Sequence, residues 1–509
     1  MLLLICLTLL AFISYGYWSF SKNYKYWKIR GVNGPIPFPI FGNLLDVLLT
    51  PRTILELKYY RKYGNLYGYY EGNKTVLVVG QPELIKTILV KDFHSLPQRY
   101  GSGTLHPVLK MNIADIVGDD WKRIRSIAAA TFTAGKIRQM YPFVESCVND
   151  FMVHLENIIQ TTSNVNIRDF YGCLALEVIV LWAFAVRLNL QNGLDNQFVV
   201  HARRISESNS IKKFLVKLIP KLIFKTIGVT TEKNSSGKSR LYFVNLVRQM
   251  IKYRKEGEQK FNDFLQVLMD AEQSESHHVE GEKESELTNV RLSSPNKTLT
   301  EDEIIAQTVA FVVAGNETTA SLLIYATYEL AMNTDVQDKL FVEINSSFNT
   351  NGSIDFDELC RLPYLDAVIS ETLRHHSPVE RTTRIVSQEY KLGDTDIILH
   401  PGQLVHIPIY AIHHDEKYYP DPFKFDPERF MPHNKHNLIP YTYLPFGQGP
   451  RNCLGARFGL LEAKLALART VHKFTVFRCT ETDEWLATDS NTLLNVPRRP
   501  IVGIAMRKK

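Results

Sequence analysis

Pro445-Phe446-Gly447-Gln448-Gly449-Pro450-Arg451-Asn452-Cys453-Leu454-Gly455-Ala456-Arg457-Phe458-Gly459 is a glycine- and proline-rich loop running into an apolar helix that begins near Leu454. Four glycines around one cysteine let the backbone approach something large and flat. A cysteine at a helix N-terminus is favoured as thiolate by the dipole and by unpaired backbone N–H groups. Thiolate is the ligand that pushes electron density onto haem iron for O–O cleavage. Arg451, two residues earlier, is placed to neutralise a carboxylate such as a haem propionate. The competing reading of a lone loop cysteine is a small buried side chain.

The FxxGxRxCxG pattern, met by Phe446, Gly449, Arg451, Cys453 and Gly455, resembles the haem loop of the cytochrome P450 family. The resemblance extends over nearly the whole chain, because four further signatures occur in order. Trp121-Lys122-Arg123-Ile124-Arg125 puts Trp121 and Arg125 on one helix face; the resemblance assigns both to the haem propionates. In Ala314-Gly315-Asn316-Glu317-Thr318-Thr319, small residues and an acid–hydroxyl pair interrupt an apolar helix. Two readings stay open there: a groove for dioxygen, or a helix contact with Thr318 bonded back to a carbonyl. The resemblance gives oxygen activation to Thr318 and proton relay to Glu317. Glu371-Thr372-Leu373-Arg374 pairs acid and base three apart, and the resemblance locks the pair to Arg429 of Pro427-Glu428-Arg429-Phe430, bracing the cysteine loop. In Pro378 to Arg384 it makes Arg384 another propionate partner and sets Val379 near substrate. His375 and His376 stand where many relatives are apolar; adjacent helical histidines point apart, so a surface role is expected rather than a metal site.

The first twenty residues, MLLLICLTLLAFISYGYWSF, carry no charge and suffice to cross the roughly 30 Å hydrocarbon core. Lys22, Lys25, Lys28 and Arg30 follow at once, and no AxA-like cleavage site is present. This order reads as an uncleaved transmembrane anchor (1–20) with the remainder cytosolic. A cleaved secretory signal is the alternative, and it would open Asn73-Lys74-Thr75 to glycosylation. A basic, proline-rich linker (21–43) contains Pro35, Pro37 and Pro39, which favour a stiff extended connection. Residues 44–509 are expected to form one large domain, mainly α with a minor β-sheet, the cytochrome P450 fold. Lys74 to Gly80 reads as a strand and a helix follows Pro82. Ala271 to Lys297, rich in Ser, Glu and His, reads as an exposed loop. Thr300 and Glu303 form a capping box for a buried helix through IIAQTVAFVVAGNETTASLLIYATYELA. The lysine-laced run IKKFLVKLIPKLIFKTIG (211–228) is either a second lipid contact or an amphipathic surface helix.

With 45% hydrophobic and 22% charged residues the chain is a folded globular protein, and a net charge of +6 suits an anionic membrane or an acidic partner. That charge is too weak to argue for nucleic acid, and no nucleic-acid motif occurs. The six cysteines show no CxxC pairing, against a zinc module or disulfide framework, so a reducing compartment is expected. The resemblance implies haem (heme b, iron protoporphyrin IX) on Cys453, O2 as co-substrate, and electrons arriving singly. No GxGxxG motif after a strand is present, so NADPH acts only through an outside flavoprotein, an NADPH-cytochrome reductase, with cytochrome b5 as a further donor. Lys122, Arg123, Lys136 and Arg138 are candidates for its docking face, or solvated charge. Residues 121–143 look like the animal microsomal branch that oxidises drugs and steroids, implying an endoplasmic reticulum membrane. The expected substrate is a lipophilic xenobiotic, steroid or fatty-acid-like molecule, met by the loop before Trp121, Val313, Val379 and Asn491 to Leu494. Two other functions compete: a haem-thiolate isomerase or lyase acting on a lipid peroxide, disfavoured by Glu317-Thr318, and a non-catalytic haem-binding protein, disfavoured by the absence of an output domain.

Overall fold

The capping box forms as the sequence demands. Thr300 Oγ1 accepts the Glu303 N–H at 3.3 Å, and the Glu303 carboxylate accepts the Thr300 N–H at 2.8 Å. In this computed structural model, residues 24–39, 41–100, 106–188, 196–206, 235–257, 261–273, 298–350, 352–488 and 494–507, with Ser14, are described. The run 211–228, nearly all of 1–20 and most of 271–297 lie outside the described residues.

The helices that position the site are α1 (Arg52–Tyr63), α2 (Gly118–Ala129), α3 (Ala134–Ile159), α4 (Ile167–Phe184), α5 (Phe264–Gln273), α6 (Glu301–Met332), α7 (Pro363–His375) and α8 (Ala456–Lys473). The α6 helix, about 48 Å long at 1.5 Å per residue, is apolar enough to cross a bilayer but is wrapped by protein. Ile304, Ile305, Leu323 and Leu330 on its several faces are fully buried. Its closest companion is α4, and the crossing is close because Gly315 has no Cβ: one placed there would sit 2.6 Å from Ile179 Cδ1. The aromatic rings of Phe132, Trp182, Phe264, Phe311 and Phe458 interlock, with Trp182 stacked on Phe264 at 4.4 Å and 5.4 Å from Phe458. This cluster ties α4, α5 and α6 to the first turn of α8.

The strands are β1 (Leu66–Glu71), β2 (Lys74–Val79), β3 (Asn164–Asn166), β4 (Thr382–Ile385), β5 (Tyr390–Lys391), β6 (Ile398–Leu399), β7 (Leu404–Ile407), β8 (Phe474–Phe477) and β9 (Ile501–Met506). The largest sheet has the order β1-β2-β7-β4, with β2 parallel to β7 and the other pairs antiparallel. Register sets Val76 opposite Leu404 and Arg384 opposite Val405. Val76, Leu77 and Val79 are fully buried, the reason TVLVV reads as strand. The described part of the 21–43 segment lies against this sheet: Trp27 is buried with its indole N–H on Tyr69 O at 3.2 Å, and Gly68 N–H bonds Asn33 O at 2.8 Å. The architecture is one mainly helical domain with small sheets.

Candidate active site

The cysteine loop owes its shape to two left-handed glycines, Gly447 (φ +69°) and Gly449 (φ +74°). A Cβ on Gly449 would lie 1.9 Å from the Leu89 carbonyl oxygen, so only glycine fits there. Phe446, half-buried, takes the Cys453 N–H on its carbonyl at 2.8 Å. With its own N–H committed, Cys453 presents its sulfur to the N–H groups of Gly455 and Ala456, where α8 starts. Burial pushes the thiol up, while these N–H groups, Arg99 and Arg125 pull it back. A bound metal cation would complete the deprotonation that the dipole alone does not. Arg451 and Asn452 are buried, while Cys453 keeps accessible surface.

Four arginines converge beside it. Trp121 and Arg125, both buried on α2, face the loop as their spacing predicts: Arg125 donates to Asn452 O (3.1 Å) and Oδ1 (2.6 Å), and Trp121 lies 4.5 Å beneath the Arg451 guanidinium. Arg451 donates to the carbonyls of Ile113, Ala114 and Ile116. Arg384, on β4, donates to Thr382 Oγ1 at 2.9 Å and Thr383 O at 3.1 Å. The fourth, Arg99, donates to Arg451 O. Burial first, and then repulsion from Arg99 and Arg451, depresses Arg384 well below the ordinary guanidinium range. Arg451 is lowered in the same way by burial, Arg99 and Arg125, with Asp115 the carboxylate that opposes it. The Nε atoms of Arg99, Arg384 and Arg451 are buried without a hydrogen-bond partner. Guanidinium does not surrender its proton in proteins, so this crowding calls for an anion. The two propionates of haem fit that demand, next to a sulfur donor at a glycine-cleared loop.

The helix α6 passes on the other side. Ala314 is exposed, Gly315, Glu317 and Thr318 are half-buried, and a Cβ on Gly459 would stand 3.5 Å from Thr319 Oγ1. The AGNETT segment is thus held against the helix that springs from the cysteine loop. Gly315 serves the helix contact with Ile179, and Thr318 Oγ1 donates to Ala314 O at 2.7 Å. Alongside, Ala202, Ile205, Phe243, Val312, Val313 and Asn316 gather around one narrow cleft. Near Val379, Asn495 N–H bonds Pro378 O at 2.9 Å, while Ser321 donates to Asn495 O at 2.6 Å. Asn491, Thr492 and Leu493 lie outside the described residues.

The Glu371–Arg374 pair is completely buried and bidentate, at 2.7 and 2.8 Å. Arg429 Nε approaches Glu371 Oε1 at 3.5 Å. The link to the cysteine loop runs through His413, which the sequence reading passes over. Arg374 donates to His413 O at 2.7 Å, His413 Nδ1–H returns a bond to Arg374 O at 3.1 Å, and Leu444 N–H donates to His413 Nε2 at 3.0 Å.

Three expectations change. His375 and His376 are not surface side chains: α7 ends at His375, His376 leaves helical geometry (φ −129°, ψ 56°), and both rings turn onto Glu329 of α6. Arg123 is only 13% exposed and is spent on Glu303, Asp120 and Thr298 O, so it is not a docking residue. Lys122 and Arg138 pair with Asp119 and Asp357, which leaves Lys136, on Asn262, as the member of that set with no acid partner among the described residues. Nothing local in Pro97-Gln98-Arg99 marks Arg99 as a site residue; the bridge between Gln98 and Ile385 brings it beside Arg384.

The family model described as Cytochrome P450 matches residues 32–503. Similar proteins include Cytochrome P450 3A5 of Homo sapiens, 33% identical over 508 residues (98% of this chain, 95% of that protein). Others are Cytochrome P450 3A14 of Cavia porcellus, 31% identical (98% and 95%), and Cytochrome P450 3A29 of Sus scrofa, 32% identical (95% and 92%). A cysteine on a glycine-cleared loop, buried arginines beside it and a match across the body of the chain converge on one conclusion: this protein belongs to the cytochrome P450 family and is a haem-thiolate monooxygenase.

Proposed function

We propose that the chain oxygenates a lipophilic small molecule at the endoplasmic reticulum membrane, using electrons from NADPH passed through a flavoprotein reductase, with cytochrome b5 as a second donor. Residues 1–20 anchor it and 44–509 form the catalytic domain on the cytosolic side. The observation that carries the reading is the window in α6 at Ala314 to Thr318, where small and half-buried residues interrupt the helix as it packs against the helix that begins at the cysteine loop. The side chains gathered beside it, Ala202, Ile205, Phe243, Val312 and Val313, are apolar and suit a lipophilic guest.

When bound, haem supplies an iron at which O2 is reduced and one oxygen atom is passed to the substrate. Cys453 Sγ would hold the iron, with Phe446 fixing the loop through its carbonyl. Trp121, Arg125, Arg384, Arg451 and Arg99 would hold the propionates. The Thr318 hydroxyl, which donates to Ala314 O in this structure, would leave that carbonyl to hand on a proton at the window. Glu317, half-buried next to it, resupplies Thr318 Oγ1 from the solvent side. The buried faces of α6 on either side of the window keep bulk water from short-circuiting this path.

Thr318→Ala tests the relay in protein reconstituted with reductase. Product formed per NADPH consumed is expected to fall at least about tenfold, with hydrogen peroxide rising in its place. Unchanged coupling would remove Thr318 from the mechanism. NADPH consumption that does not respond to any lipophilic compound would defeat the wider reading.

A further inference from the structure

The histidine pair after the ExxR arginine takes no part in this chemistry, yet the fold draws it onto a carboxylate from another helix. Glu329 lies in the last turn of α6, His375 is the last residue of α7, and His376 caps it. His375 Nδ1 is 3.0 Å and His376 Nε2 2.6 Å from Glu329 Oε1, and the two nitrogens are 3.0 Å apart. The three side chains are 9%, 18% and 7% exposed, so water contributes little to the cluster.

The hydrogen bonds place three ligand-type atoms around one point. His375 Nε2 lies 3.2 Å from the Phe423 carbonyl, which can only accept, so Nε2 carries the hydrogen. Burial pushes Glu329 up, but its contacts with the two histidines prevail and hold it at about 2. Burial and neighbouring His375 bring His376 down to about 4. The outer contacts also match those of ligating side chains. The far nitrogen of His375 is fixed by a carbonyl, Glu329 Oε2 accepts from Asn333 Nδ2 at 3.1 Å, and His376 stacks on Tyr325 with centroids 4.1 Å apart.

We propose that Glu329, His375 and His376 form a second metal site, separate from Cys453, that takes one divalent transition ion of the zinc class through two imidazole nitrogens and one carboxylate oxygen, leaving a position for water. A proton among the three atoms satisfies one pair of them; a cation serves all three. Tetrahedral ligands at about 2.0–2.1 Å stand about 3.3 Å apart, so the atoms must spread by less than an ångström. His376, already outside helical geometry, gives most readily. Imidazole with carboxylate favours zinc or copper over magnesium or calcium. The ion would staple the end of α6 to the end of α7, one residue from Arg374 and its bond to His413.

The test uses the full-length holoprotein, washed with chelator and titrated with zinc sulfate. Zinc-edge X-ray absorption is expected to show one ion per haem, with two imidazole nitrogens and oxygen at about 2.0–2.1 Å. His376→Phe, which keeps a ring on Tyr325, and Glu329→Gln are each expected to weaken zinc binding at least tenfold, with haem content measured alongside to verify folding. Absence of stoichiometric zinc in the wild type, or a shell without two histidines, overturns the proposal whatever the variants do. Undiminished affinity in the folded variants overturns it as well.

Discussion

At Gly449 a single methyl group decides whether the cysteine loop closes. The residue sits at φ +74° with its missing Cβ directed at the Leu89 carbonyl, a backbone atom that cannot step aside. Gly447 shares the left-handed conformation (φ +69°) but faces open space. Backbone strain alone costs roughly 1–3 kcal/mol, so Gly447→Ala is expected to lower the unfolding midpoint modestly and keep its haem. Gly449→Ala adds the clash and is expected to lose most bound haem; equal haem-to-protein ratios in the two variants would contradict this account. Such residues are legible because their neighbours in sequence are their neighbours in space: Phe446, Gly449, Arg451 and Cys453 act within one loop. Trp121 and Arg125 are legible through helical spacing. Arg99 and His413 are not, because each meets its partners through strand and loop contacts that no local pattern announces. The helix-terminus reading also makes the thiol more acidic than its burial allows.

Among the elements, α6 and α7 carry the site between them. The start of α6 is written in its capping box and its burial in its largely apolar composition, and both hold in the structure. The end of α7 is not: nothing in Arg374-His375-His376-Ser377 announces that the helix stops between the histidines, and that stop turns two divergent side chains into a convergent pair. The α8 helix starts at Ala456, two residues beyond the expected Leu454, leaving the Gly455 and Ala456 N–H groups aimed at sulfur. The brace on α7 can be tested through Glu371→Gln. With both partners fully buried, removing the carboxylate charge strands Arg374, and breaking such a pair costs about 3–5 kcal/mol. Little haem-loaded protein is expected, with what forms unfolding at lower denaturant. A variant as stable as wild type would mean that the loop is braced elsewhere.

Across the whole molecule, buried neutral histidines make the fold sensitive to acid. Burial, then the nearby Arg374 charge, lowers His413 to about 3, and His414 is also driven well down. An unfolded histidine titrates near 6.5, so the unfolded chain takes up these protons first. Their contribution to stability is complete above that value and is lost as pH falls from about 6.5 toward 3. Denaturant midpoints are therefore expected to drop between pH 7.5 and pH 5, and His413→Gln, which cannot titrate, should narrow the difference. A midpoint independent of pH over that range would contradict it. The haem-thiolate centre is the claim on which the rest depends, and it is reached most directly by adding carbon monoxide to the dithionite-reduced holoprotein. Ligation by Cys453 predicts the strongly red-shifted Soret band of a thiolate complex; an imidazole-like band in fully folded, catalytically competent protein would contradict it.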